Sequence, residues 1–340
     1  MNAPVQPTLL LMFKARPELR QKLEARWRVV GPFRDPALAL ASQRDREEIV
    51  AVVTLGPTGI GGDLIAALPN LGLIAVYGAG FERVDLAAAR ARGIRITNGG
   101  AGNAACVADT AMALLLAVVM RIPQADSIVR NGEWDSRPAR GWTRQPGVGG
   151  KRLGVLGLGN IGTRIASRAQ AFELEIGYHN RSRRQDVDYP YFSSAVELAR
   201  WSDYLVVAAP ATDATEAIVD RAVLGALGPD GYLVNIARGT LVDEQALTEA
   251  LISGTIAGAG LDVFAHEPDV PLALRRAPNT VFSPHVGGFS IRSAEALDTL
   301  LIGNIEAFVT GASLPTEVHY QAVNPSTTAS GRTPERASFG

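Results

Sequence analysis

Leu153-Gly154-Val155-Leu156-Gly157-Leu158-Gly159-Asn160-Ile161-Gly162, followed by a helical run over residues 163–172, decides how this chain folds. An apolar strand runs into a G-x-G-x-x-G turn, and the turn opens a helix. In that order the glycines have separate tasks: Gly157 permits the tight turn, Gly159 admits a pyrophosphate close to the backbone, and Gly162 lets helix and strand pack closely. The first amides of the helix then face phosphate oxygens. Leu158, Asn160 and Ile161 complete the candidate dinucleotide-binding turn.

The tip of the next strand, residues 174–179, selects the dinucleotide. A carboxylate there would accept both ribose hydroxyls of NAD. The tip instead reads Asn180-Arg181-Ser182-Arg183-Arg184. Nothing there repels a 2′-phosphate, and Arg181 with Arg183 or Arg184 can form charge-assisted bonds to one. The expected cofactor is NADPH, with NADH as a weaker alternative. Basic loop runs are commonly solvated surface, so position carries this reading rather than charge count.

Around this unit the chain alternates strands and helices. Strands are expected near residues 7–13, 49–54, 73–76 and 92–98, then at 204–209, 231–237, 257–264 and 280–283; a polar helix is expected over 17–28. The pattern predicts an α/β protein with two doubly wound parallel-sheet domains. With 340 residues, two domains are the prior. Gly99-Gly100-Ala101-Gly102 reads as a hinge, after which residues 104–120 form a helix apolar nearly all round, buried between layers or against a second subunit. A final helix from Arg292 is expected to return to the first domain. That makes residues 1–100 and 290–320 one discontinuous domain around an insert at 101–289. The Ser-, Thr- and Pro-rich residues 321–340 are expected to be a disordered tail.

Lys+Arg of 33 against Asp+Glu of 34 gives no electrostatic reason to bind nucleic acid or an anionic membrane. A single cysteine, Cys106, and no signal-like N-terminus favour a cytoplasmic setting. No metal-ligand pattern is assigned.

Ligands in parallel sheets bind beyond the carboxyl ends of the strands. Arg238, Glu267 and His285 all follow strands. An imidazole oriented by a carboxylate suits proton donation, and a guanidinium fork suits a carboxylate ligand. His179 and His319 read as surface residues.

Three stretches carry a resemblance: Val234-Asn235-Ile236-Ala237-Arg238-Gly239-Thr240-Leu241-Val242-Asp243, Gly260-Leu261-Asp262-Val263-Phe264-Ala265-His266-Glu267-Pro268 and Ser283-Pro284-His285-Val286-Gly287-Gly288. Together they resemble the signatures of the D-isomer specific 2-hydroxyacid dehydrogenases, over roughly residues 49–311 and most closely the NADPH-type glyoxylate/hydroxypyruvate reductases. The resemblance implies a Rossmann cofactor domain inserted in a flavodoxin-like substrate domain, with the active site in the cleft. It implies catalytic roles for Arg238, Glu267 and His285, and a nicotinamide carboxamide bond for Asp262. The amides of Gly78, Ala79 and Gly80 would take the substrate carboxylate, with Leu55 beside them. Further cofactor contacts are expected from Val107, Ala209, Pro210, Thr215, Ile236 and Ala237. Asp109, in Val107-Ala108-Asp109, replaces the family's usual glutamate. The implied reaction is reduction of a small 2-oxo acid, and a homodimer is the family expectation.

Two rivals stay open. One is a reductase of aromatic 2-oxo acids, with Leu55, Tyr77, Phe81, Trp134, Trp142 and Phe289 shaping an apolar pocket. The other is a dinucleotide-sensing corepressor, which would need the cofactor cleft but no acid at the carbonyl. A long-form phosphoglycerate dehydrogenase is disfavoured, since no C-terminal regulatory domain is expected.

Overall fold

The computed structural model describes residues 6–32, 43–134 and 144–319. Trp142 and the Ser/Thr-rich tail at 321–340 lie outside the described residues. Two parallel sheets form the frame. The first contains β1 (Thr8–Leu11), β2 (Arg28–Val30), β3 (Ile49–Thr54), β4 (Leu73–Val76) and β5 (Arg95–Thr97), in the order β2-β1-β3-β4-β5. The second contains β6 (Arg152–Leu156), β7 (Glu175–His179), β8 (Tyr204–Val207), β9 (Tyr232–Asn235), β10 (Gly258–Leu261) and β11 (Thr280–Phe282), in the order β11-β10-β9-β8-β6-β7.

Both sheets are buried on both faces, as parallel sheets must be. Alternate residues feed opposite cores: Val52 and Ile74 pack on one face of the first sheet, Ala51, Val53, Leu73 and Ala75 on the other. In the second sheet Leu205, Val207 and Leu233 face one way, Val206, Tyr232 and Val234 the other. Each fully buried branched side chain contributes roughly 1.5–3 kcal/mol relative to exposure. The apolar runs of β3, β4, β8 and β9 are therefore interior strands of their sheets.

The first sheet has the flavodoxin-like order. The second lacks a full strand beyond β7, but Tyr178 and Tyr191 form a single parallel bridge there. Tyr178 N donates to Pro190 O at 2.9 Å and Phe192 N to Tyr178 O at 2.9 Å. Counting that bridge as a one-residue strand gives the Rossmann order 3-2-1-4-5-6 with β11 as a seventh strand at the far edge. The expected fold class holds for both units.

One early element differs. The helix expected over 17–28 spans Pro17–Glu24, and Arg28–Val30 forms the edge strand β2, paired to β1 at Leu9↔Val29. Leu19, Leu23 and Trp27 anchor this turn in the core, so tertiary burial overrides local helical preference.

The Ala104–Val119 helix packs along the Asn160–Gln170 helix and over β9 and β10, burying Val107, Ala111, Leu115 and Val118 within the chain. Asp109 Oδ1 accepts from Arg168 Nε at 2.6 Å, so this departure from the family pattern ties the two helices together. The Ile291–Thr310 helix returns to the first sheet, where Leu301 and Ile305 pack with Leu73 and Ala75. Ser290 caps its start by accepting from Ser293 N at 3.1 Å. Beyond it Glu317 takes both arms of Arg95, at 2.8 Å each. No single helix among the described residues is long and apolar enough to cross a membrane.

Candidate active site

The buried Asn235 at the end of β9 shapes the turn that delivers Arg238. Its side chain accepts from Ala237 N at 3.1 Å and donates to Arg238 O at 2.9 Å. Arg238 then reaches across to the first sheet: Nη1 donates to Ala237 O at 2.6 Å and Nε to Glu82 Oε1 at 3.0 Å. The guanidinium lies against the Gly78-Ala79-Gly80 loop, since a β-carbon at Gly80 would come within 1.9 Å of Arg238 Nη2.

That loop follows β4 and is held from behind. Gly99 N donates to Gly78 O at 2.6 Å and Asn98 Nδ2 to Ala79 O at 2.8 Å. Tyr77 Oη donates to Asp298 Oδ1 at 3.0 Å, and Asp298 also takes Arg16 and Lys22 at 3.0 and 2.9 Å. Burial pushes the Tyr77 hydroxyl up from its ordinary value, which keeps it a donor to this carboxylate. The amides of Gly78, Ala79 and Gly80 donate to no protein group among the described residues. They stand beside the guanidinium with their capacity unspent, as carboxylate recognition requires. Leu55, at the start of the neighbouring turn, is half-buried and caps it through its carbonyl to Gly59 N at 2.8 Å.

Glu267 and His285 meet. His285 Nδ1 lies 2.7 Å from Glu267 Oε2, and Glu267 Oε1 accepts from Phe264 N at 3.1 Å. A carboxylate on Nδ1 fixes the proton there and leaves Nε2 for a ligand. The backbone of His285 is left-handed, with φ at 54°, an uncommon conformation for a side chain-bearing residue that concentrates at functional sites. Buried Asp262 maintains it. Its carbonyl accepts from His285 N at 2.8 Å, and its carboxylate takes Ser283 Oγ, Val286 N and Gly287 N at 2.6, 3.0 and 2.9 Å. Its carboxylate is thus heavily engaged in pinning the His285 loop, a task that the carboxamide reading of Asp262 did not include.

The turn that carries Arg238 packs against the backbone that leads to Glu267 because Gly239 has no side chain. A β-carbon there would lie 1.9 Å from Phe264 C and 2.3 Å from Ala265 N. Gly239→Ala is expected to force these backbones apart, costing about 1–3 kcal/mol and lowering kcat through misplacement of Glu267. A thermal melt with steady-state kinetics checks this; an unchanged Tm and kcat would refute it.

Gly157 has a φ of 101°, and a β-carbon there would meet Ala209 Cα at 2.5 Å. One at Gly162 would meet Gly157 O at 2.1 Å, whereas one at Gly159 would meet nothing. Gly159 gives the Asn160–Gln170 helix no side-chain cap, so the first-turn amides, including those of Asn160, Ile161 and Gly162, lack intrahelical partners. A groove of about 730 Å³ opens there along Leu158, Gly159, Asn160 and Thr163, flanked by Arg164 and Arg168. Uncapped amides and open space at the middle glycine, with Arg164 beside them, fit a dinucleotide's phosphates, while Arg168 is held by Asp109.

The strand tip departs from the sequence reading in one respect. Arg184 is turned inward, donating to Leu158 O at 2.9 Å and Thr163 Oγ1 at 2.8 Å and pairing with Asp186. It braces the glycine turn instead of standing free for a phosphate. Asn180 does likewise, its Oδ1 accepting from Leu158 N at 2.6 Å. Arg181, Ser182 and Arg183 are exposed, and neither arginine makes an ion pair among the described residues.

Leu158, Val107 and Ile236 lie together in one buried cluster, and Leu158 also lines the groove. Ala237 is buried beside Arg238, and Ala209 and Pro210 follow β8. Thr215 closes a capping box with Thr212 and donates to Pro210 O at 2.8 Å, so its hydroxyl organises this loop. His179 is half-buried, its Nδ1 at 2.8 Å from Phe192 O, rather than a surface residue. Glu82 and Gly239 were not singled out from sequence. Their partners are remote in the chain, and no local pattern announces them.

Residues 112–287 match the family model described as D-isomer specific 2-hydroxyacid dehydrogenase, NAD binding domain. The chain is 40% identical over 310 residues to a glyoxylate/hydroxypyruvate reductase A of Arabidopsis thaliana, covering 91% of this chain and 98% of that one. It is equally 40% identical, over the same length and shares, to a hydroxyphenylpyruvate reductase of Plectranthus scutellarioides. Among solved structures, an NADPH-dependent glyoxylate/hydroxypyruvate reductase of Sinorhizobium meliloti, in complex with NADP and malonate, superposes with a TM-score of 0.85 at 36% identity, covering 94% of this chain and 100% of that one. With the cleft described above, these likenesses place the chain in the D-isomer specific 2-hydroxyacid dehydrogenase family, and it is an oxidoreductase.

Proposed function

We propose that the protein is an NADPH-preferring reductase of small 2-oxo acids, glyoxylate and hydroxypyruvate, yielding D-2-hydroxy acids. The observation that carries this reading is the Glu267–His285 pair at 2.7 Å on the same cleft as Arg238 and the unspent amides of Gly78, Ala79 and Gly80. NADPH supplies the hydride when bound at the glycine turn. Arg238 and the loop amides hold the substrate carboxylate, and Arg238 polarises the neighbouring carbonyl. His285 Nε2 gives its proton to the oxygen as negative charge develops there, and Glu267 stabilises the imidazolium. Arg181 and Arg183, with Ser182, take the 2′-phosphate, and Asp262 offers the one remaining lone pair of its carboxylate, on Oδ2, to the carboxamide; NADH binds more weakly.

The small-acid reading is favoured by what the candidate aromatic residues already do. Tyr77 is bonded to Asp298, Phe81 packs on the first core, and Trp134 and Phe289 are largely exposed. The name of the Plectranthus relative keeps aromatic 2-oxo acids as the second reading. A sensing role has no use for the paired Glu267 and His285. Residues 1–100 with 290–320 serve as the substrate-binding domain and 101–289 as the cofactor domain, in a cytoplasmic homodimer. Exposed Ile122, Val129 and Trp134 beside the buried Ala104–Val119 helix suit such a contact.

The test is a panel of glyoxylate, hydroxypyruvate, pyruvate, phenylpyruvate and hydroxyphenylpyruvate, each with NADPH and NADH, followed at the nicotinamide absorbance. Highest kcat/KM with glyoxylate or hydroxypyruvate and NADPH is expected. Preference for the aromatic acids would move the assignment to the second reading, and silence throughout would sink both.

A further inference from the structure

Glu82 sits where a ligand is wanted. Its carboxylate accepts from Arg238 Nε at 3.0 Å, and its two oxygens would lie 2.6 and 2.9 Å from a β-carbon built on Gly80. It therefore stands over the same loop, and against the same guanidinium, that the proposed function gives to the substrate carboxylate. The pair joins the loop after β4 in the first sheet to the turn after β9 in the second, 156 positions apart.

We propose that Glu82 is a displaceable internal carboxylate: it occupies Arg238 and the Gly80 loop when the cleft holds no substrate, and a 2-oxo acid must expel it to bind. Three features support displacement over permanent bracing. The side chains of Arg238 and Glu82 are 32% and 40% exposed, so the pair is a solvent-screened one of small worth. Glu82 makes no hydrogen bond besides that to Arg238 among the described residues, so nothing else retains it when that bond is lost. Arg238 has an independent anchor in Ala237 O, at 2.6 Å, which keeps its base in place when Glu82 leaves. A substrate that brings a bidentate carboxylate plus the free loop amides outcompetes a single-contact pair.

The displaced carboxylate also acts on selectivity. It remains tethered beside the site, so it repels a second negative charge on the ligand and penalises dianions more than monoanions. Glu82 is thus a positioning residue that acts through Arg238, setting the KM for monocarboxylates and disfavouring dicarboxylates.

This inference rests on Arg238 being the carboxylate site, so the test carries an Arg238 control. In Glu82→Gln, KM for glyoxylate is expected to fall about two- to fivefold, the range of an exposed ion pair, with kcat/KM rising in proportion. Inhibition by malonate, a dianion, should tighten by a larger factor than KM falls, and added salt should shrink both gains. Glu82→Ala should move KM the same way. A KM that stays the same or rises, or a loss confined to kcat, in either variant would overturn the proposal and make Glu82 a brace for Arg238. Arg238→Gln in parallel should raise KM and abolish most turnover. If it does so while Glu82→Gln changes nothing, only the displacement fails; if Arg238→Gln keeps a normal KM, the carboxylate assignment itself fails.

Discussion

Replacing His285 by alanine is expected to lower kcat by about 10²–10⁴-fold, the usual worth of a positioned general acid, while NADPH binding persists. The ring is the group free to reach a carbonyl oxygen, because Glu267 occupies Nδ1 at 2.7 Å and leaves Nε2 open. Cofactor affinity should survive because the glycine turn lies on other strand ends. The backbone at His285 is left-handed, so His285→Asn is the sterner variant: asparagine tolerates that conformation and preserves the loop held by Asp262. If both variants lose turnover and still bind NADPH in a fluorescence titration, the loss is chemical rather than structural. Near-normal turnover in His285→Asn would remove the acid role. Glu267→Gln keeps the shape of the pair and removes its charge, and it should fall between wild type and the His285 variants.

The second large effect is expected at the strand tip. Arg181→Ala together with Arg183→Ala should weaken NADPH by roughly 10- to 100-fold, corresponding to a charge-assisted hydrogen bond worth about 1.5–3 kcal/mol, and leave NADH within about twofold. Both side chains are exposed and free of ion pairs among the described residues, so their loss costs the fold little. Arg184 should behave differently: it holds Leu158 O and Thr163 Oγ1, so its truncation loosens the glycine turn and weakens both cofactors. Equal weakening of NADPH and NADH in the Arg181/Arg183 variant would refute the 2′-phosphate assignment.

Much of this site was legible in sequence because its chemistry is local. The strand, glycines and helix at 153–170 follow one another directly, so the dinucleotide turn is contained in one short segment, although the atoms that crowd Gly157 belong to Ala209 on another strand end. The loop at His285 is similar, since a strand end, proline and paired glycines already mark an exposed, sharply turned imidazole. What sequence could not give were relations between distant segments. Arg183 and Arg184 are adjacent and chemically identical, yet one is free and the other is drawn by tertiary contacts to Leu158 and Thr163 of the glycine turn. Asp262 was placed at the site, but its hold on the His285 loop depends on three donors more than twenty residues away. Glu82 follows a loop read for its backbone amides and for the rings of Tyr77 and Phe81, and its partner follows a strand of the other sheet. The edge strand at Arg28–Val30 escaped notice because three residues carry no usable periodicity.

Arg238, Glu267 and His285 are expected to reduce a small 2-oxo acid on the face that yields the D-alcohol. The most direct test is chiral analysis of the product formed from hydroxypyruvate and NADPH. D-glycerate is expected, formed stoichiometrically with NADPH consumed and at least a hundredfold more slowly in His285→Asn. Formation of the L-enantiomer, or the same rate of D-glycerate without the imidazole, would contradict it.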